Sequence, residues 1–268
     1  MKPLVIVTTF NRKRETEQML TALVETTALA EIDLVIVDNN STDGTVDAIS
    51  DWASYHRRKA KVTVLLEREN IGCPRALNAA LALREAGQPV VKLDNDLKII
   101  TPGWVDRLRW IERVVGPDNQ PAQQPVAMIG AWYEGCLDHG RVRSMERYED
   151  GCVWKMSLII GHAVWHSGPF MDRIGYFDVL SDEHLYGFED LIASQKANKM
   201  NFPMLVWDGW KIENIQRFSA LGRDGAKEHT DKMRPLYDAR VRALADGGPL
   251  YTGPDGRPGE IGSKKYEG

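Results

Sequence analysis

The chain has only three cysteines in 268 residues: Cys73, Cys136 and Cys152. The number is odd and no C-x-x-C pair is present, which argues against a disulfide framework and against a structural zinc site. So few thiols fit a reducing compartment, and the cytoplasm is the expected location. No apolar run approaches the roughly 20 residues that span a bilayer. The longest candidate, Met156 to Trp165, is broken by Ser157, Gly161 and His162. The N-terminus carries one lysine, then Pro3 and a short apolar run, too little for the core of a signal peptide. An excess of positive charge is also missing. The net charge of −4 and the pI near 5.9 count against a general nucleic-acid binder. No internal repeat or heptad run is present.

What is present is ordinary for a globular protein, with 43% apolar and 27% charged residues. The first hundred residues alternate two signals. Short, mostly apolar runs without polar alternation at Leu4–Thr8, Leu34–Val37, Val62–Leu66 and Pro89–Leu93 read as buried strands. Helical spacing separates them over Arg14–Ala30, Val46–Tyr55 and Pro74–Glu85. Buried strands alternating with helices predict an α/β fold: a mostly parallel central sheet covered by helices on both faces. Ligands in such sheets bind beyond the carboxyl ends of the strands. Later the pattern loosens. Helices are predicted over Trp104–Val115, Phe188–Lys199 and Ala226–Ala245, the last kinked near Pro235. Strands are predicted over Val126–Trp132, Gly151–Ile160 and Pro203–Val206. From Gly247 on, seven glycines and three prolines predict an irregular tail or a mobile flap.

Four polar loops follow the first four strands: Thr8-Thr9-Phe10-Asn11-Arg12; Asp38-Asn39-Asn40-Ser41-Thr42-Asp43-Gly44-Thr45; Asn70-Ile71-Gly72 with Arg75 and Asn78; and Asp94-Asn95-Asp96. Taken singly, each is common turn or cap chemistry. All four fall at the same end of one predicted sheet, and two carry carboxylates. Carboxylates beside phosphate oxygens repel unless a hard divalent ion joins them, so the pattern predicts Mg²⁺ or Mn²⁺ bound between protein and a diphosphate.

On these runs, together with Ile174-Gly175-Tyr176-Phe177-Asp178 and Tyr186-Gly187-Phe188-Glu189-Asp190, the chain resembles the family 2 type of nucleotide-sugar glycosyltransferases with the GT-A fold. The resemblance covers about residues 3–206. It implies a single GT-A domain over residues 1–246, with a Rossmann-like nucleotide-sugar half (1–100), an acceptor and catalytic half (101–246), and the tail 247–268. It also implies roles. Thr8 and Phe10 line the nucleobase, Asp38 contacts base or ribose, and Arg75 sits beside the nucleotide. Asp94 and Asn95 belong to the donor site, Asp94 at the ribose or a metal-bound water. Asp96 ligates the metal. Asp190 is the catalytic base, with Glu189 supporting it or binding acceptor. The family usually has Asp where Asn39 stands, which weakens any role for Asn39.

The family often supplies a histidine ligand after the catalytic segment. His229 is the only one C-terminal to Asp190 and is therefore the candidate, although its charged neighbours also suit a solvated helix face. His162 and His166 are spaced like a helical metal pair but lack the helix and the Glu that such a pair uses. Trp132, Trp154, Trp207 and Trp210 are candidates for an acceptor platform or for core. Arg141, Arg143, Arg147, Lys211, Arg217, Arg223 and Lys227 would form a basic rim or a solvated face.

The expected function is a metal-dependent, inverting transfer of a sugar from a nucleoside diphosphate donor, a UDP-sugar for preference, to an acceptor hydroxyl. The acceptor is open: glycan, protein, small molecule or modified nucleic acid. Two alternatives use a similar sheet. A nucleotidyltransferase that makes nucleotide sugars would want a glycine-rich loop after the first strand, and Thr8–Arg12 has no glycine. A non-catalytic nucleotide- or carbohydrate-binding module would have no need of both Asp96 and Asp190.

Overall fold

The computed structural model describes residues 1–114, 125–134, 136–137, 142–149, 151–215 and 222–259. The N-terminal half alternates as its apolar runs predict: β1 (Leu4–Thr9), α1 (Lys13–Thr26), β2 (Asp33–Asp38), α2 (Thr45–His56), β3 (Lys61–Leu66), α3 (Cys73–Leu81) and β4 (Val90–Asp94). A short β5 (Leu97–Ile99) and α4 (Trp104–Val114) follow. Then come β6 (Met128–Trp132), β7 (Val142–Tyr148), β8 (Gly151–Met156), β9 (Ala163–His166), α5 (Gly168–Ile174), α6 (Glu189–Lys199), β10 (Met204–Asn214) and α7 (Gly222–Ala245).

The strands form one sheet in the order β3-β2-β1-β4-β9-β6-β10-β8-β7, with β5 paired to β10. The pairs β1–β2, β2–β3, β1–β4 and β6–β10 are parallel, whereas β9 runs antiparallel to β4 and β6. Side chains alternate between faces along each strand, so each strand feeds two cores. Val5, Val7, Leu34, Ile36, Val91 and Leu93 pack with α1, α2 and α4. Leu4, Ile6, Val35, Val37 and Val90 pack with α3, α5 and α6. This is the expected α/β layering, with helices on both faces.

The second half departs from the expectations where pairing is long-range. The polar stretch 142–148 is a strand, β7, at the exposed edge of the sheet. The run expected to be one strand to Ile160 ends at Met156, and the apolar residues after it form β9. β10 extends to Asn214 through a register shift between Trp207 and Lys211. α7 runs as one helix through Pro235. Trp207 and Trp210 are core, while Trp132 and Trp154 are half-buried and face each other at 6.3 Å. Arg141, Arg217 and the side chain of Arg223 lie outside the described residues.

Residues 247–259 are irregular, in keeping with their composition, and they are anchored. Thr252 donates its N–H to Ile174 O and accepts from Tyr176 N, and Gly256 O accepts from Val179 N. Thr252 is fully buried. Residues 260–268 of the expected tail lie outside the described residues. The anchor is a buried polar knot. Asp178 accepts from Arg240 Nε (2.7 Å), Thr252 Oγ1 (3.0 Å) and Lys196 Nζ, tying α6 to α7 and to the C-terminal segment. Among the described residues, no helix is long and apolar enough to cross a membrane.

Candidate active site

The carboxyl ends of β1 and β4 open onto a cavity of about 420 Å³, within the range of small-molecule sites. β4 delivers Lys92 and Asp94. The turn after it delivers Asn95 and Asp96. The segment before β9 brings His162, and the loop into α6 brings Glu189 and Asp190. Thr8, Phe10, Asn39 and Asn70 line the side formed by β1, β2 and α3.

Three groups converge as a donor set. Ligand atoms of Asp94, Asp96 and His162 lie within 4.8 Å of one another. His162 Nδ1 is 2.9 Å from Asp94 Oδ2, which orients the ring, and Arg12 is paired with Asp96. Burial raises the pKa of Asp94, but Lys92 and His162 outweigh it and hold the carboxyl below its ordinary value. Asp96 is pushed up, by burial first and then by Asp94, against the pull of Arg12. Burial lowers the pKa of His162, yet the hydrogen bond and field of Asp94 carry it above its ordinary value. Two carboxylates and an imidazole with their ligand atoms this close make a fitting donor set for a divalent cation.

A second cluster sits at the start of α6. Lys92 Nζ is 2.8 Å from Asp190 Oδ2 and 3.0 Å from Glu189 Oε1. Burial pushes Asp190 up to about 6; Lys92 opposes that shift and Glu189 adds to it. The helix is capped by Phe188 in the left-handed region (φ 66°), a conformation that costs a bulky residue roughly 1–3 kcal/mol. Packing over-determines it, because Phe188 is buried with Ile192, Met233 and Leu244 between α6 and α7. The preceding loop is braced from below. Gly72, at φ 82°, brings its backbone so close to His184 O that a Cβ would lie 2.4 Å from it, and Cys73 N donates to Leu185 O (2.5 Å).

The expected residues do not all reach the cavity. Thr8, Phe10, Asp94, Asn95, Asp96, Glu189 and Asp190 line it. Asn95 turns its amide inward, donating Nδ2 to Thr9 and Thr16 Oγ1, and so fixes the Asp-Asn-Asp turn. Asp38 does not line it. Its two oxygens accept from Ser41 N (2.8 Å) and Ser41 Oγ (2.6 Å), shaping the loop that instead presents Asn39. Arg75 turns away, donating to the Ser181 and Asp182 carbonyls and the Asp182 carboxylate. His229 stands apart from the carboxylates, its Nε2 3.1 Å from Tyr186 O and its ring stacked on Tyr186. The histidine of the acidic cluster is His162, which the missing helical context argued against. His166 is buried in the core between Phe170 and Phe177, its pKa lowered to about 3 by burial. Lys92 was not anticipated. Its signal was a lone lysine at an apolar strand position.

Residues 4–108, the sheet half up to α4, match the profile of glycosyl transferase family 2. Over those residues the chain is similar to the family 2 glycosyltransferases. Solved structures agree on the fold. The chain superimposes on the mannosyltransferase PcManGT from Pyrobaculum calidifontis, in complex with GDP-Man and Mn²⁺, with a TM-score of 0.60 at 20% identity, covering 91% of this chain and 70% of that one. S. aureus TarS 1–349 in complex with UDP-GlcNAc gives 0.58 at 19%, covering 88% and 65%. GalNAc-T7 with UDP, GalNAc and Mn²⁺ gives 0.61 at 13%, covering 89% and 49%. No curated protein sequence matches the chain.

Proposed function

We propose that this protein is a glycosyltransferase that moves a sugar from a nucleoside diphosphate donor to an acceptor hydroxyl with inversion, using Asp190 as general base and Mn²⁺ or Mg²⁺ held by Asp94, Asp96 and His162. One observation carries the reading. A metal-ligand set and a buried carboxylate pair face one cavity at the carboxyl ends of a parallel sheet, where such folds bind nucleotides. Neighbours of the same fold were solved with GDP-Man, UDP or UDP-GlcNAc, which supports a nucleotide-sugar donor.

A divalent cation at this site supplies Lewis-acid stabilisation of charge on the leaving diphosphate. The chain's own groups do the rest. Thr8, Phe10 and Asn39 line the nucleotide side, and Asp38 and Arg75 shape the loops around it. Asp190 takes the proton of the attacking hydroxyl, and Glu189 shares its side of the cavity. A base of this kind contributes roughly 10²–10⁴-fold. Attack opposite the leaving diphosphate inverts the anomeric carbon.

The test is a thermal-shift screen of UDP and GDP, each with and without Mn²⁺ or Mg²⁺. A ligand at a hundred times its Kd adds about 2.7 kcal/mol, or roughly 5–10 °C for a chain of this size. The expected result is a shift with nucleotide and metal together that exceeds either one singly. If no combination moves the midpoint, the reading fails.

A further inference from the structure

We infer that Lys92 is the positioning residue of the catalytic pair: its ammonium draws the Glu189 and Asp190 carboxylates together at the wall of the cavity and leaves one oxygen of each for the acceptor. The inference rests on the proposed reading of Asp190 as the base and adds the device that aims it.

The placement follows from two periodicities. Along β4, Val91 and Leu93 face one core and Val90 the other. Lys92 shares the parity of Val90 and Asp94, so it stands on the face covered by α3, α5 and α6. Along α6, Ala193 and Ala197 pack into that same core. Glu189 and Asp190 precede Ala193 by four and three residues, so both lie over its face one turn earlier. Adjacent helical residues diverge by about 100°, and nothing within the helix makes them converge. Lys92 sits between them. Its ammonium donates to Asp190 Oδ2 at 2.8 Å and to Gly161 O at 3.3 Å, and forms an ion pair with Glu189 Oε1 at 3.0 Å. Asp94 Oδ1, at 3.7 Å, is beyond hydrogen-bond range.

The cluster is largely buried, with Lys92 at 5% side-chain exposure and each carboxylate at 6%, and what exposure it keeps is at the cavity. Glu189 Oε2 and Asp190 Oδ1 are buried and accept no hydrogen bond, although both residues line the cavity. Buried carboxylate oxygens are rarely left so, and on two residues that line one cavity they can receive hydroxyl donors. Holding α6 does not require Lys92. The helix is secured by its apolar face and by the Lys196–Asp178–Thr252 knot. The lysine's distinct contribution is the convergence of the pair.

Lys92→Met keeps length and removes the charge. Its crystal structure should show the fold retained and the two carboxylates parted, by more than about 0.5 Å from their present positions. With Mn²⁺ and whichever of UDP-GlcNAc or GDP-mannose the parent consumes, kcat should fall at least about 100-fold while donor KM stays within about threefold. Lys92→Ala should regain about tenfold or more in kcat on adding ethylammonium, but not tetramethylammonium, which has no proton to share. It also covers the case in which Lys92→Met does not fold. Unmoved carboxylates, an unchanged kcat, or a loss that ethylammonium does not restore would each overturn the inference. A parent that consumes no donor would instead refute the proposed function, and the crystal structure of Lys92→Met would still decide the positioning.

Discussion

Replacing Asp178 with alanine should be the most damaging single change outside the cavity. Asp178 sits under two cations, Lys196 at 1% side-chain exposure and Arg240 at 7%, and also accepts from Thr252 Oγ1. Alanine strands both charges in a site that water does not reach. Removing one partner of a buried pair costs about 3–5 kcal/mol, since the remaining charge stays desolvated and uncompensated. At about 2–4 °C per kcal/mol for a chain of this size, the melting midpoint should fall by roughly 6–20 °C. Asp178→Asn retains an acceptor oxygen and should fall between alanine and parent. The exposed Lys227–Asp231 pair is the control. Asp231→Ala should move the midpoint by less than about 2 °C, because exposed pairs contribute little. The assay is reversible denaturation monitored by circular dichroism and calorimetry. A midpoint for Asp178→Ala within about 2 °C of the parent would refute the reasoning and reduce the knot to a coincidence of packing.

Three further outcomes are expected. As the proposed base Asp190 would work only when ionised, and burial pushes its pKa up to about 6; log kcat should therefore fall with unit slope as pH drops below about 6, and Asp190→Asn should erase that limb and cost roughly 10²–10⁴-fold in kcat, a loss under tenfold contradicting the assignment. Asp96→Ala should weaken Mn²⁺-dependent UDP or GDP binding at least about tenfold with the circular dichroism spectrum retained, and unchanged calorimetric affinity would remove Asp96 from the ligand set. Gly72→Ala forces a Cβ to 2.4 Å from His184 O at φ 82° and should cost at least about 1–3 kcal/mol in urea unfolding, an unchanged midpoint showing that the loop yields freely.

The N-terminal half was legible because its signals are local. Four short, mostly apolar runs and the helical spacing between them specify β1 to β4 and their helices, and each ends in the loop that reaches the cavity. The later strands were less legible. β7 is polar because it is an exposed edge, and its status as a strand rests on pairing with β8. β9 is four residues long, and its place between β4 and β6 is set by partners far away in sequence. Of the site, the Asp-Asn-Asp and Glu-Asp pairs stood out as carboxylates on predicted strand and helix ends. His162 and Lys92 did not, since a histidine before an apolar run and a lysine within one have no local meaning.

By itself the sequence determined the layering of the first half and the positions of its polar loops, because period-2 and period-3.6 burial are decided by neighbours within a few residues. Tertiary structure alone decided which charges meet. Lys92 finds Asp190 across 98 residues and His162 finds Asp94 across 68. Asp38 and Arg75, turned toward Ser41 and residues 181–182, were withdrawn from the cavity in the same way. Electrostatic partners are chosen by distance and desolvation in the folded state, and neither quantity exists along the chain until the sheet has formed.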